Sequence, residues 1–290
     1  MRLTGQNKQP NNRGILSWIL FAVALAFPLH ALAQSNADAS KLLSVWAGTL
    51  PLILSAPHGG REPIPGVAAR RGVGVAEFTT GRDNNTDELA EAIALRLGEK
   101  LGVKPFVVIA RFDRKFLDVN RPAAGAFESA AAKPFYDAYH RALEESSEKV
   151  RAQWGGGLLL DLHGQGAEVE TIYRGTDNGE TVAALVQRYS KGALSGPTSI
   201  FGQLAAKGYR VLPDPSGSER ERRYIGGYTA RTYGSHRGTK IDAIQIEIGT
   251  NLRAKANLQR TAQDLAAAIE IFAREFLPID KTAIANRPRP

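Results

Sequence analysis

Four stretches of the chain are almost unbroken in their hydrophobicity: "LPLILSAP" (51–57 with its lead-in), "KPFVVIARFD", "LLLDLHGQG" and "DAIQIEIG". All four predict strands, and the continuous runs of "LPLILSAP" and "LLLDLHGQG" read as buried ones. Between them the period changes. Thr86 to about Leu101 places Leu89, Ile93, Leu95 and Leu97 at roughly helical spacing, and Thr86 is a candidate cap. Lys133 to about Trp154 predicts a second helix, after which Gly155-Gly156-Gly157 introduces the strand of "LLLDLHGQG". Further along, "VETIYRG" and "GYRVLPD" predict short strands, Glu180–Arg188 and Ile200–Lys207 short helices, and Asn257–Phe276 a long final helix. Val45 to Ser55 holds two β-rich pieces around Gly48-Thr49, a hairpin signal.

Strands alternating with helices predict an α/β fold built as a single domain, a three-layer α/β/α arrangement with a mostly parallel mixed central sheet. No internal repeat and no long linker divides it. Residues 59–84, rich in Gly, Pro and Arg, read as a long irregular loop, a kind of segment that is often functional.

The first 33 residues follow a different pattern. Arg2, Lys8 and Arg13 form a basic start without an acid, Ile15–Phe27 is apolar, and Ala31-Leu32-Ala33 is a small-x-small cleavage site. Pro28 and His30 interrupt the apolar stretch, which is short for a membrane span. The expectation is a signal peptide over 1–33, a catalytic domain over 34–278 and a flexible tail over 279–290, in a protein exported to a bacterial periplasm and free of the membrane once cleaved.

Composition narrows the chemistry. The chain contains no Cys, so no disulfide holds it and no thiolate serves as nucleophile or metal ligand. Its net charge is +8; without the three cations of the leader, 34 basic residues stand against 29 acidic ones, a charge of +5. That balance favours anionic ligands, yet its diffuseness and the absence of a recognition motif argue against nucleic acid.

The ionisable residues at strand ends carry the functional reading. His58 and His163 each follow an apolar strand, Gly59-Gly60 allow close backbone approach beside the first, and Glu62 lies four residues on. Asp161 precedes His163 in period-two register, so it can accept the second ring N–H of a metal-bound imidazole. Two His and one carboxylate leave a position open on zinc, as catalytic sites require. Glu247, alternating with isoleucines, is either a wet-face residue or a general base acting on water at the metal. Arg111, Arg114 and Arg121 form either a solvated basic loop or a set suited to an acidic acyl substrate. His140 sits in a helical surface pattern and reads as structural; His236 lies in "RTYGSHRG", which reads as a loop, and its role stays open.

"SAPHGGRE", "RDNNTDELA", "RKFLDVNRP", "DLHG" and "IQIEIG" occur in the order seen in the N-formylglutamate amidohydrolase family, which the chain resembles from about Leu52 to Arg253. That family is similar to zinc carboxypeptidases and to the aspartoacylase/succinylglutamate desuccinylase group. The resemblance implies one zinc on His58, His163 and a carboxylate. It implies Arg114 as the residue polarising the scissile carbonyl, Asn120 and Arg121 as holders of the substrate carboxylate, and Glu247 as the general base. Glu62 matches the carboxylate ligand, although carboxypeptidases place it three residues after the first His; Asp83 and Asp87 are the alternatives. The implied activity is zinc-dependent hydrolysis of an acidic N-acyl amino acid. A γ-glutamyl or cell-wall peptide hydrolase and a non-catalytic periplasmic binding protein are the rival readings.

Overall fold

The structure is a computed structural model that describes Met1 and residues 39–279; the leader read over 1–33 and the tail beyond Ile279 lie outside the described residues. The regular elements, in chain order, are β1 (Leu43–Trp46), β2 (Leu52–Ala56), α1 (Thr86–Leu101), β3 (Phe106–Ala110), α2 (Lys133–Trp154) and β4 (Gly157–Gln165). They continue with β5 (Thr171–Gly175), α3 (Ala183–Tyr189), α4 (Ile200–Ala206), β6 (Arg210–Leu212), α5 (Tyr228–Tyr233), β7 (Ile241–Gly249) and α6 (Lys255–Phe276), joined by shorter helical turns.

Seven strands form one sheet in the order β1-β3-β2-β4-β7-β5-β6. Pairings β2–β3, β2–β4, β4–β7 and β5–β6 are parallel, and β1–β3 and β5–β7 antiparallel, so the sheet is mixed and mostly parallel, as the alternating pattern predicts. The central strands are buried along almost their whole length because helices cover both faces.

Side chains alternate between the two faces. Leu52, Leu54, Leu158, Leu160, Leu162, Ile244, Ile246 and Ile248 pack with α1, α4 and α6 through Leu89, Ile93, Leu204, Leu265 and Phe272. Ile53, Val108, Leu159 and Ala243 pack on the other side with Phe135, Tyr139, Leu143 and Val150 of α2. The strand register puts Ser55 beside Asp161, Asp161 beside Gln245, and His163 beside Glu247. By alternation, all five polar residues share the α2 face. The ionisable residues of β4 therefore stand in one polar strip at the sheet's C-terminal side, where open α/β sheets bind ligands.

The hairpin expected over Val45–Ser55 does not form. β1 and β2 lie on either side of β3 and do not pair with each other. Gly48 is instead a close-approach residue: a Cβ there would sit 2.4 Å from the backbone nitrogen of Phe106. Thr86 is the first helical residue of α1 and Asn85 occupies the cap position in the left-handed region (φ 66°). No helix among the described residues is long and apolar enough to cross a membrane.

Candidate metal centre

His58 leaves β2 two residues past its end. Its path is fixed by Gly60, where a Cβ would lie 2.3 Å from the carbonyl carbon of Arg111, so this chain segment runs tight against β3. The segment continues as a bridge: Glu62 N–H donates to Arg111 O (2.8 Å) and Asp113 N–H to Glu62 O (2.8 Å). Glu62 is exposed here and does not belong to the cluster around His58. The carboxylate that reaches the two imidazoles is Asp83, one of the two alternatives. The long loop returns to bring it there, and Asp83 N–H donates to His58 O at 3.0 Å.

Asp83 Oδ2 lies 3.3 Å from His58 Nδ1 and 3.2 Å from His163 Nδ1. One ligand atom from each of the three buried residues falls within 4.8 Å of the other two. The opposite edge of each ring is also held: His58 Nε2 is 2.8 Å from Asp118 Oδ1, and His163 Nε2 is 2.8 Å from Asp161 Oδ2. Ser55 Oγ donates to the other oxygen of Asp161 at 2.6 Å.

These contacts test whether a cation fits. A carboxylate only accepts, so Asp118 and Asp161 each fix the proton of a neutral imidazole on Nε2. Both Nδ1 lone pairs then point at the oxygen of Asp83. Three acceptors facing one another are unfavourable without positive charge between them, and a divalent metal would supply it. Two imidazoles and a carboxylate suit zinc, with a position left open.

The electrostatics agree. Burial pushes the His163 imidazole down, but the charge and hydrogen bond of Asp161, with the bond to Asp83, outweigh it and raise the proton affinity well above the ordinary value. Asp83 is pushed up by burial, yet its bonds to His163 and His58 hold it well below the usual carboxylate range. Asp118 likewise stays far below that range, as the charge and bond of His58 and the charges of Arg114 and Arg121 overcome burial. A field that attracts a proton to the His163 ring also attracts a metal cation.

Glu247 stands across from His163 and is buried. Burial lifts its carboxyl to about 7; Asp83 and Asp161 add to the rise and the charges of His163 and Arg114 oppose it. Arg114 Nε donates to Asp118 Oδ2 at 2.9 Å, its Nη2 forms an ion pair with the same oxygen at 2.9 Å, and its Nη1 is 4.0 Å from Asp83 Oδ1. Asn120 is buried: its N–H donates to Asp118 Oδ1 (3.0 Å), its Oδ1 accepts from Thr229 N–H (2.8 Å), and its Nδ2 lies 3.3 Å from His163 Nε2. Its carboxamide oxygen is thus already engaged, and only the amide hydrogens face the site. Arg121 is half-buried and donates to the backbone of Asn120 and Glu77, which leaves guanidinium hydrogens for a ligand.

Arg111 departs from expectation. Its guanidinium is shared among Ser44, Asp87 and Glu91, the last two on α1, so it ties β3 to that helix and is not available to a substrate. Asp87 is committed there as well. Two residues missed in the sequence, Asp118 and Arg70, complete the surroundings. Asp118 lay within the Asp-x-Asn-Arg run, where its position before Asn120 was the available signal. The buried Arg70 binds the carbonyls of Thr79, Arg114 and Gly125 and sits 3.9 Å from Asp118, fastening the long loop over the site. His140 is held between Tyr233 and Val119 O as a structural residue, and His236 is exposed.

No family model matches the chain. An N-formylglutamate deformylase of Pseudomonas aeruginosa is 26% identical over 272 residues, which cover 82% of this chain and 95% of that protein. Among solved structures, an N-formylglutamate amidohydrolase from Ralstonia eutropha superposes with a TM-score of 0.56 at 19% identity, covering 81% of this chain and 97% of that one. A gene product from Agrobacterium tumefaciens gives a TM-score of 0.52 at 15% identity, over 80% and 92% of the two chains. Over most of its length the chain is therefore similar to N-formylglutamate amidohydrolases, to the Pseudomonas deformylase in sequence and to the Ralstonia amidohydrolase in fold.

Proposed function

We propose that the protein is a zinc-dependent hydrolase of C–N bonds that cleaves the amide of a small acidic N-acyl amino acid, N-formylglutamate or a close analogue. The observation that carries this reading is the triangle of His58, Asp83 and His163 with Glu247 directly across the strand pair from His163. When bound, zinc supplies Lewis acidity toward the scissile carbonyl and toward water.

The remaining work falls to the chain. Glu247 takes a proton from the attacking water and passes it to the leaving amine nitrogen, so that amide and water become carboxylate and amine. A carboxyl lifted toward neutrality is matched to both transfers. Arg114, anchored on Asp118 and adjacent to Asp83, stabilises the negative charge that develops on the carbonyl oxygen. Arg121 and the amide hydrogens of Asn120 receive the acidic end of the substrate. The leader over 1–33 supports a periplasmic location, which N-terminal mass spectrometry of envelope protein tests: a chain beginning at Gln34 agrees, and an intact Met1 start refutes it.

The activity is tested by amine release over a panel of N-acyl amino acids and γ-glutamyl peptides, alongside metal analysis. Purified mature protein is expected to carry one zinc and to hydrolyse an acidic N-acyl amino acid. Glu247→Gln should keep the zinc and lose at least ~10²-fold in turnover, the scale of general acid–base catalysis. Full turnover in that variant, or no hydrolysis of any panel member by zinc-loaded wild type, overturns the reading.

A further inference from the structure

Glu247 is not held by the candidate metal ligands. Among the described residues its side chain has one hydrogen-bond donor, Gln245 Nε2, at 2.9 Å from Oε1. The two residues are next-but-one neighbours on β7, on the same face, and both are buried. An ionised carboxylate only accepts, so the nitrogen of Gln245 faces it and the carboxamide oxygen faces away. That oxygen is buried and has no protein partner.

The backbone of the loop before α5 stops this amide from turning. Gly227 precedes α5 and lies against it: a Cβ at that position would sit 2.4 Å from Gln245 Oε1 and 2.4 Å from Asn120 Nδ2. The bare Cα closes the outer side of both carboxamides. Asn120 is itself fixed, since Thr229 N–H, two residues past Gly227, donates to its oxygen and turns its nitrogen inward. The loop leading into α5, Asn120, Gln245 and Glu247 therefore form one packed series ending on a single carboxylate oxygen.

We infer that Gln245 is a positioning residue for the hydrolysis: it pins Oε1 of Glu247 so that Oε2 is presented to the attacking water in one orientation. The inference rests on the reading of Glu247 as the base. Gly227 is the element that keeps the pinning amide in place.

The test is a double-mutant cycle in the full-length zinc enzyme. Gln245→Met keeps the volume and removes the donor; Gln245→Asn keeps the amide but shortens its reach. Both should lower kcat by ~10–100-fold, the range for groups that orient a reacting residue from behind, with KM and zinc content close to wild type. In a Glu247→Gln background the same changes should have little further effect, because the residue they act through is already disabled. Gly227→Ala should reproduce the kcat loss by displacing the Gln245 amide, and raise KM as well because it displaces Asn120. Wild-type kcat in a folded Gln245 variant overturns the inference, as does an equal loss in both backgrounds, which marks a general structural role. Loss of zinc in Gln245→Met and Gln245→Asn also overturns it. If Glu247→Gln alone retains full turnover, the catalytic reading fails first, and that result is distinct from a silent Gln245.

Discussion

His163 and Glu247 are direct partners across the parallel pair β4–β7, so an imidazole of the candidate metal centre and the candidate base are set side by side by strand register. Nine consecutive residue pairs fix that register, from Gly157–Ile241 to Gln165–Gly249. A slip of one residue would turn His163 and Asp161 into the opposite core and bring leucines to the site. The apolar residues that alternate with the polar strip thus determine where the chemistry stands.

Metal retention separates the carboxylates. His58→Ala, His163→Ala and Asp83→Ala should each remove most of the bound zinc, whereas Glu62→Gln should retain it, because Glu62 is exposed and joins the neighbouring segment only through its backbone. Zinc per chain after dialysis is the measurement. A Glu62 variant that loses zinc while Asp83→Ala keeps it would falsify the assignment.

Asp118 serves two masters, His58 through Oδ1 and Arg114 through Oδ2. Asp118→Asn keeps the shape but offers a nitrogen to one of these donors. Zinc affinity should weaken by ~10–100-fold, as for other carboxylates behind a ligating His. Turnover at saturating zinc should fall too, since Arg114 loses its anchor. Competition against a chelator gives the first quantity and activity at excess metal the second; a variant with unchanged affinity would show that His58 needs no partner on Nε2.

Gly60 tests the fold near the site. Ala in its place puts a methyl 2.3–2.6 Å from backbone atoms of Arg111 and Ala110, and backbone cannot move aside as a side chain tip can. Gly60→Ala should cost ~1–3 kcal/mol, the usual cost of overpacking, and weaken zinc binding by shifting His58. Thermal unfolding with and without chelator reads both; an unchanged midpoint would mean that the loop has another course.

Much of this was legible in the chain. The buried strands, α1, α2 and α6 were visible because apolar period and length coincide there, and His58, His163 and Glu247 stood out because each interrupts or ends such a run. What failed depended on partners distant in sequence. Gly48-Thr49 looked like a turn, but Gly48 is there to pass beside Phe106. Glu62 looked like the ligand because it is near His58 in sequence, whereas Asp83, 25 residues away, is brought back by a loop whose course Arg70 fixes. Arg111 looked free because nothing local reveals that Asp87 and Glu91 on α1 face it.

The pH dependence of stability has a source away from the metal centre. His140 on α2 is largely buried, with Nε2 donating to Val119 O (3.1 Å) and Nδ1 3.0 Å from the hydroxyl of Tyr233. Burial lowers its imidazole to about 4, against 6.5 in the unfolded chain, with the bond to Val119 opposing. The folded state therefore resists a proton that the unfolded state accepts. The contribution of His140 to stability is fully present above pH 6.5 and is lost as pH falls toward 4, by up to about 3 kcal/mol. His140→Gln cannot titrate, so its unfolding free energy should decline less steeply than wild type across that window, while the two proteins keep a constant difference above pH 7. Denaturant unfolding at pH 4.5, 5.5, 6.5 and 7.5 supplies the curves. Parallel curves across the whole range would show that His140 carries the same proton affinity folded and unfolded, and that its burial has no electrostatic consequence.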